Sequence, residues 1–314
     1  MRAGPPDHWL GRRPVLAAIC GACVIAFSAI LVRLADVSPE AAAVYRCAYA
    51  LPLLGALAAW ERRRHGPRPR RERLLGLAAG VLFAADLIFW HYAIADVGAG
   101  LATVLGNLQV VLVAFVAWAV LGERPGRHII TAVPIVFSGA VMISGVLETG
   151  AYGENPQRGT IFCLLTTLAY SGFILVLRRT NSDQRRPAGP LFDATATGAV
   201  VSAVVGVAAG AGDLVPSWPG HGWLALLALS SQVVGWLLIS VSLPRLPAAL
   251  TSLLLLIQPV ASVALAAAIL GESPSGLQIA GVIVILAGML YATTGRAQRR
   301  APTAPNPAAV PAAD

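Results

Sequence analysis

Leu121-Gly-Glu-Arg-Pro125 returns 149 residues later as Leu270-Gly-Glu-Ser-Pro274. In the same register Gln109 falls on Gln258, Val111 on Val260, Val133 on Val282 and Gly139 on Gly288. Laid without gaps, 100–142 on 249–291 gives 13 identities in 43 positions. Apolar helices share Ala and Leu by chance because they use few letters, so the Gln, Gly-Glu and Pro matches carry the inference. The chain reads as two copies of one unit.

Composition says what each copy is made of. Of 314 residues 57% are apolar and 12% charged, with mean hydropathy +0.72. A soluble domain needs roughly 25% charged residues to wet its surface, so most of this surface has lipid as its solvent. A helix needs about 20 apolar residues to cross the hydrocarbon core. Punctuation by charge, Pro and Gly leaves ten such segments: 14–34, 39–60, 74–95, 98–121, 128–147, 158–178, 191–211, 222–243, 247–270 and 276–294. The Ala/Gly-rich 191–211, starting near Asp193, has the weakest pattern. No segment alternates polar and apolar residues as a barrel strand would, and backbone groups in lipid must pair internally, so the spans are helices.

The expected fold is therefore all-α and integral to the membrane, with ten transmembrane helices in two five-helix repeats, 14–147 and 158–294, flanked by tails at 1–13 and 295–314. Five is odd, so the second copy sits upside down relative to the first. Inverted repeats are the signature of carriers whose halves exchange conformations to open a central site to either side in turn. The first span is too long for a signal peptide, lacks a convincing cleavage site and is followed at once by another span, so it is expected to stay. The Pro/Ala-rich tail, Ala301 to Asp314, is expected to be disordered.

All 23 basic residues are Arg. With the N-terminus in the cytoplasm, 20 of the 23 fall in cytoplasmic segments, seven of them in the run 62–73. Arg33 and Arg158 lie outside, with Asp36, Asp96, Glu148, Glu154, Asp213 and Glu272, while Arg46 lies within a span. Both termini then face the cytoplasm of a plasma (inner) membrane protein. The 62–73 run reads as a topogenic signal rather than a nucleic-acid or specific lipid site. Cys20, Cys23, Cys47 and Cys163 lie in apolar segments and form neither a disulfide framework nor a zinc pattern.

The Leu-Gly-Glu-x-Pro motif in each half, with a Gly-containing apolar span about a dozen residues on, is joined by Phe27-Ser28 in the first span, Arg46 in the second and Gln258-Pro259 in the ninth. Together these resemble the EamA-type transporters of the drug/metabolite transporter superfamily, over nearly all of 14–294. The resemblance implies a central cavity lined mainly by spans one, three, four, six, eight and nine, with span two packed peripherally. It also implies export or uptake of small metabolites, often amino acids, without ATP hydrolysis. The family commonly has proline in the middle of spans four and nine. Here the ninth has Pro259 but the fourth has Val110, so a matching kink in the fourth is not expected.

Charges in lipid cost several kcal/mol unless sheltered, so each is a functional candidate by default. Asp86 sits near the middle of span three, with Trp90 one turn on and His91 beside it. Asp86 reads as a proton or cation site, as the partner of a substrate amine, or as a structural carboxyl paired with Arg46. His91 is a second coupling candidate, or a packing residue. Gln109, Gln232 and Gln258 fall near the centres of spans four, eight and nine, where they would hydrogen-bond a polar substrate or join helices at about 0.6 kcal/mol per bond. Asn107 faces elsewhere. Trp90, Tyr170 and Trp236 are candidate cavity walls. Arg46 is read as structural, in the outer third of a peripheral span with Glu40 at its entrance. Glu123 and Glu272, at helix ends, are expected to close loops or cap the helices that follow them.

No Walker A, nucleophile elbow, His-Glu-x-x-His or acidic metal cluster is present in the sequence. The expected function is a secondary transporter of a small polar metabolite, an exporter by preference. It would use no cofactor or metal and no nucleic acid, with membrane lipid and the substrate as partners and proton coupling as an open question. The alternative is a lipid-handling membrane protein, a scramblase or an enzyme on lipid-linked substrates. Thr195-Ala-Thr-Gly198 permits close helix contact, within or between chains.

Overall fold

The computed structural model describes residues 13–180, 186–210, 217–242, 246, 254 and 256–298. The expectations for 1–12, for 299–314 and for most of the first half of the ninth span lie outside the described residues. Among the described residues there are helices and no strands. In chain order they are α1 (Pro14–Ala26), α2 (Ser28–Ala35), α3 (Pro39–His65), α4 (Arg70–Val97), α5 (Ala99–Gly106), α6 (Gln109–Leu121), α7 (Arg127–Ile143), α8 (Pro156–Thr180), α9 (Ala188–Ala208) and α10 (Gly220–Leu227). A π-helical turn, Ala228–Gly235, leads into α11 (Trp236–Ser242), and α12 (Ile257–Leu270) and α13 (Gly276–Gln298) follow.

Among the described residues eight stretches are long and apolar enough to cross a membrane, and α7 and α12 are shorter apolar helices. The weakly patterned seventh segment is a full helix, Ala188–Ala208. The fifth is shorter than expected, ending at Ile143. The tenth runs to Gln298, beyond the expected start of the tail at 295. Large apolar side chains such as Ile161, Leu168, Val200, Val204 and Val207 are exposed. In water so many would be a liability; against acyl chains they cost nothing.

Each repeat motif is a helix stop. α6 ends at Leu121 and α12 at Leu270, and the next residues, Gly122 and Gly271, adopt left-handed φ of 72° and 68°. Glycine takes that conformation without Cβ strain, which makes it the usual helix terminator. The following helices start at Arg127 and Gly276, again 149 residues apart. The sequence repeat is thus a repeat of secondary structure.

The two copies are also antiparallel. Along α7 and α13, Thr131 Oγ1 donates to Tyr291 Oη at 3.1 Å, while twelve residues further along α7 the Ile143 carbonyl accepts from Gln278 Nε2 at 3.1 Å. As one index rises the other falls. A Cβ on Gly139 would meet Ile285, and one on Gly288 would meet Val136, both at 2.7 Å. Those are one contact and its exchange under the 149-residue shift, the mark of a two-fold relation between halves. The second and seventh spans repeat the pattern: Glu61 lies against Ala188 and Gly189, Gly55 against Phe192, and Cys47 against Gly198.

Small residues allow these close approaches. A Cβ on Gly139 would also lie 2.8 Å from the Gly281 carbonyl oxygen, and one on Gly80 of α4 would lie 2.4 Å from the Ala194 carbonyl oxygen of α9. The small-residue run 195–198 therefore packs within the chain, where Gly198 faces Phe83 and Cys47. Gly139→Val is expected to destabilise the protein by about 1–3 kcal/mol through overpacking, measured as thermal unfolding in detergent. Gly126→Val, where a Cβ meets nothing within 4 Å, is expected to leave the transition nearly unmoved.

Candidate functional site

Three spans are interrupted near their middles. The first breaks at Phe27, between α1 and α2, and the fourth at Asn107–Leu108, between α5 and α6. The eighth carries the π turn Ala228–Gly235. The fourth span breaks without proline. Asn107 Nδ2 donates to the Thr103 carbonyl at 2.7 Å, and its backbone N–H is shared between the carbonyls of Thr103 and Val104, each at 3.2 Å. A short polar side chain competing for backbone acceptors loosens a helix in this way. In the ninth span, Pro259 lies in the first turn of α12. Backbone irregularity at membrane depth survives where it is enclosed by protein, and half-helix N-termini there present unpaired N–H groups and a positive dipole end.

Arg46 projects into this interrupted region from α3. It is 5% exposed; its Nε donates to Gln232 Oε1 and its Nη1 to Ser28 Oγ, each at 3.2 Å. Ser28 opens α2 after the first break, and Gln232, fully buried, belongs to the π turn. Gln232 Nε2 donates in turn to Thr195 Oγ1 of α9 at 3.4 Å. The guanidinium carbon lies 5.5 Å from the Trp90 ring centroid, a cation–π distance. One arginine thus ties together the second, first, eighth and third spans. Its side chain therefore reaches the centre of the bundle and is not peripheral. Glu40 does not pair with Arg46: its Oε1 accepts from the Tyr92 hydroxyl.

Asp86, 6% exposed, lies within electrostatic reach of both Arg46 and Tyr170, and no hydrogen bond joins it to Arg46 among the described residues. The Tyr170 hydroxyl lies near the Gln109 side chain, and its ring centroid is 6.3 Å from that of Trp236 and 5.8 Å from that of Phe173. Arg46, Asp86, Trp90, Gln109, Tyr170, Gln232 and Trp236 therefore form one neighbourhood. It holds a guanidinium, a carboxyl, two amides, a phenol and two indoles, largely screened from solvent. Such a set has the chemistry for a small molecule carrying both charges, since a guanidinium suits a carboxylate and a carboxyl beside a phenol suits an ammonium.

Of the two remaining candidates, His91 borders this cluster, within electrostatic reach of Arg46 and with its ring centroid 5.5 Å from that of Trp90, and Gln258 stands apart. Gln258 is half-buried in the first turn of α12, and no contact among the described residues joins it to the others. His91 is buried with Nδ1 3.0 Å from the Pro39 carbonyl oxygen, and its Nε2 has no hydrogen-bond partner among the described residues. Asn107 serves the break itself.

The two ends of the bundle are closed by carboxylates that grip helix N-termini in the opposite repeat. Glu272 accepts from the backbone N–H of Ala99 at 2.6 Å and of Gly100 at 3.0 Å, at the start of α5. It does cap a helix, but not the one that follows it. Nearby, Arg158 Nε and Nη2 donate to Asp96 at 2.8 and 2.5 Å. At the other end Glu61 accepts from Ala188 and Gly189, both at 2.9 Å, and Arg68 pairs with Asp193.

The model of the EamA-like transporter family matches residues 12–145 and again 157–294. A solved crystal structure 17% identical in sequence superposes with a TM-score of 0.58 over 92% of this chain and 98% of its own, a likeness of fold. No curated protein matches the sequence significantly.

Proposed function

The chain belongs to the EamA-like transporter family, and from that premise we propose that it is a secondary carrier for a small polar metabolite, best fitted by an amino acid or a similar zwitterion. Its ten spans cross the plasma membrane with both termini in the cytoplasm, and it works by alternating access in the export direction. The observation that carries the reading is the buried neighbourhood of Arg46 and Asp86, a guanidinium and a carboxyl enclosed among interrupted spans. Burying charges is expensive unless a partner or a substrate compensates. A carrier supplies that compensation transiently, because the substrate's own charges replace water around each group. A lipid-handling role is a poorer fit, since its path would be apolar to the centre.

The test is transport by purified protein in proteoliposomes, screened with radiolabelled amino acids and other metabolites. At least one zwitterion is expected to exchange across the vesicle, and uptake of none of them would reject the reading. Asp86 is the candidate for proton coupling. If it holds the coupling proton, a pH gradient accelerates transport by the native protein, and Asp86→Asn abolishes that response. A response that survives Asp86→Asn removes the coupling role.

A further inference from the structure

A cleft lies away from the centre, at the end of the bundle that carries the 62–73 arginine run. A cavity of about 250 Å³ opens between the end of α3, the start of α4 and the start of α9. Its polar wall holds Arg62, Arg68, Arg73 and Arg186 against two acids, Glu61 and Asp193. Both acids are already engaged, Glu61 with the N–H groups of Ala188 and Gly189, and Asp193 with Arg68 Nη2. Arg68 Nη1 is buried, and no acceptor reaches it among the described residues. The cavity therefore has an excess of guanidinium and a buried donor without an acceptor, the chemistry that a phosphate oxygen satisfies.

The opposite wall is apolar: Gly55, Ala58, Ala59 and Phe192. It continues along α3 over Ala56 and Pro52, exposed on the same side of the helix as Ala59. On the far side of α3 Trp60 is exposed with the Arg64 guanidinium carbon 5.1 Å from its ring centroid, the arrangement of an aromatic anchor at headgroup level. We propose that this cleft binds one anionic phospholipid, its phosphate on Arg62, Arg68 and Arg73 and an acyl chain along the Gly55–Ala59 wall. A free phosphate would use the arginines and leave the apolar wall empty; the continuous apolar track favours the lipid. The arginine run then does more than orient the chain: part of it folds into a site, while Arg70 and Arg71 point elsewhere and line none of the cavity.

Native mass spectrometry of the full chain released from detergent micelles tests this without reference to transport. Dioleoyl-phosphatidylglycerol, dioleoyl-phosphatidylcholine and inorganic phosphate are the probes. One phosphatidylglycerol adduct is expected to persist where phosphatidylcholine is lost. Arg62→Gln/Arg73→Gln is expected to weaken it roughly tenfold, while Arg70→Gln/Arg71→Gln, equal in charge lost, changes it less than about twofold. All four side chains are exposed, so folding is not at stake as it would be for Arg68→Gln. Equal retention of the two lipids, or equal loss in the two double variants, overturns the site. Displacement of phosphatidylglycerol by millimolar inorganic phosphate overturns the lipid as its occupant.

Discussion

Arg46→Met is expected to abolish transport and substrate-induced thermal stabilisation together. Methionine keeps much of the length and fills much of the space, so the loss is of charge and donors rather than of packing. Gln232 Oε1 and Ser28 Oγ each lose their arginine donor, and Asp86 loses the cation within its electrostatic reach. Arg46 is buried and hydrogen-bonded to Gln232 and Ser28, and leaving such polar partners unsatisfied costs about 1–3 kcal/mol each, or roughly 5-fold to 150-fold in binding. Part of that is a penalty on the fold, because Gln232 and Ser28 lose their donor and Asp86 loses the cation within its reach. The double variant Arg46→Met/Asp86→Asn separates the two contributions. It also removes the carboxyl that faces Arg46, so the part of the stability lost through Asp86 is expected to return. Transport is not expected to recover, because both ends of a zwitterion have then lost their receptors. A double variant that regains both stability and transport makes the pair structural and removes it from the site. Arg46→Lys is expected to behave more like Met than like Arg, since an ammonium cannot span Ser28 and Gln232 with a planar fork.

Much of the architecture was legible because it depends on local rules. Gly122 and Gly271 end helices because a left-handed residue is cheap only for glycine, so a motif of a few letters marks the same turn in each half. The odd count of apolar segments in each repeat implied inversion, which the antiparallel run of contacts from Thr131–Tyr291 to Ile143–Gln278 makes physical. Of the polar and aromatic groups chosen at mid-span, Asp86, Trp90, Gln109, Tyr170, Gln232 and Trp236 lie in one neighbourhood with His91 at its border, while no contact among the described residues ties Gln258 to them.

What escaped the sequence was whatever depends on reach or on a distant partner. Arg46 was judged by the rank of its helix, yet a long side chain crosses from a peripheral helix to Ser28 and Gln232. Its signal was present: it is the one arginine well inside a predicted span rather than at its ends, and a charge in lipid is a functional candidate before it is anything else. The break in the fourth span was sought in a missing proline, whereas Asn107 makes it by taking the Thr103 carbonyl. Glu272 was assigned to the helix that follows it, because no local pattern reveals that inversion delivers the N-terminus of α5 to its carboxylate.

That last contact sets the second large expectation. Glu272→Ala is expected to open the end of the bundle at which α5 begins. The carboxylate is 4% exposed and holds two backbone N–H groups that have no partner within their own helix. Hydrogen bonds to a charged group contribute about 1.5–3 kcal/mol each, and the positive end of the helix dipole adds to them. A net loss of about 2–4 kcal/mol shifts a two-state equilibrium roughly 30-fold to several-hundred-fold. The reporter is Ser262→Cys, introduced after the native cysteines are replaced. Ser262 is fully buried behind the cap, with its Oγ 3.0 Å from Thr103 Oγ1. A membrane-impermeant maleimide applied from the Glu272 side is expected to label position 262 at least tenfold faster in Glu272→Ala than with Glu272 intact. Glu272→Gln, which keeps one acceptor oxygen, is expected to fall between them. If the three labelling rates agree, Glu272 only finishes a helix and the gate lies elsewhere. If they separate as expected, the repeat motif has a mechanical meaning: its glycine stops one helix so that its glutamate can hold the start of the helix's counterpart in the inverted copy, and release of that hold admits solvent toward the buried charges.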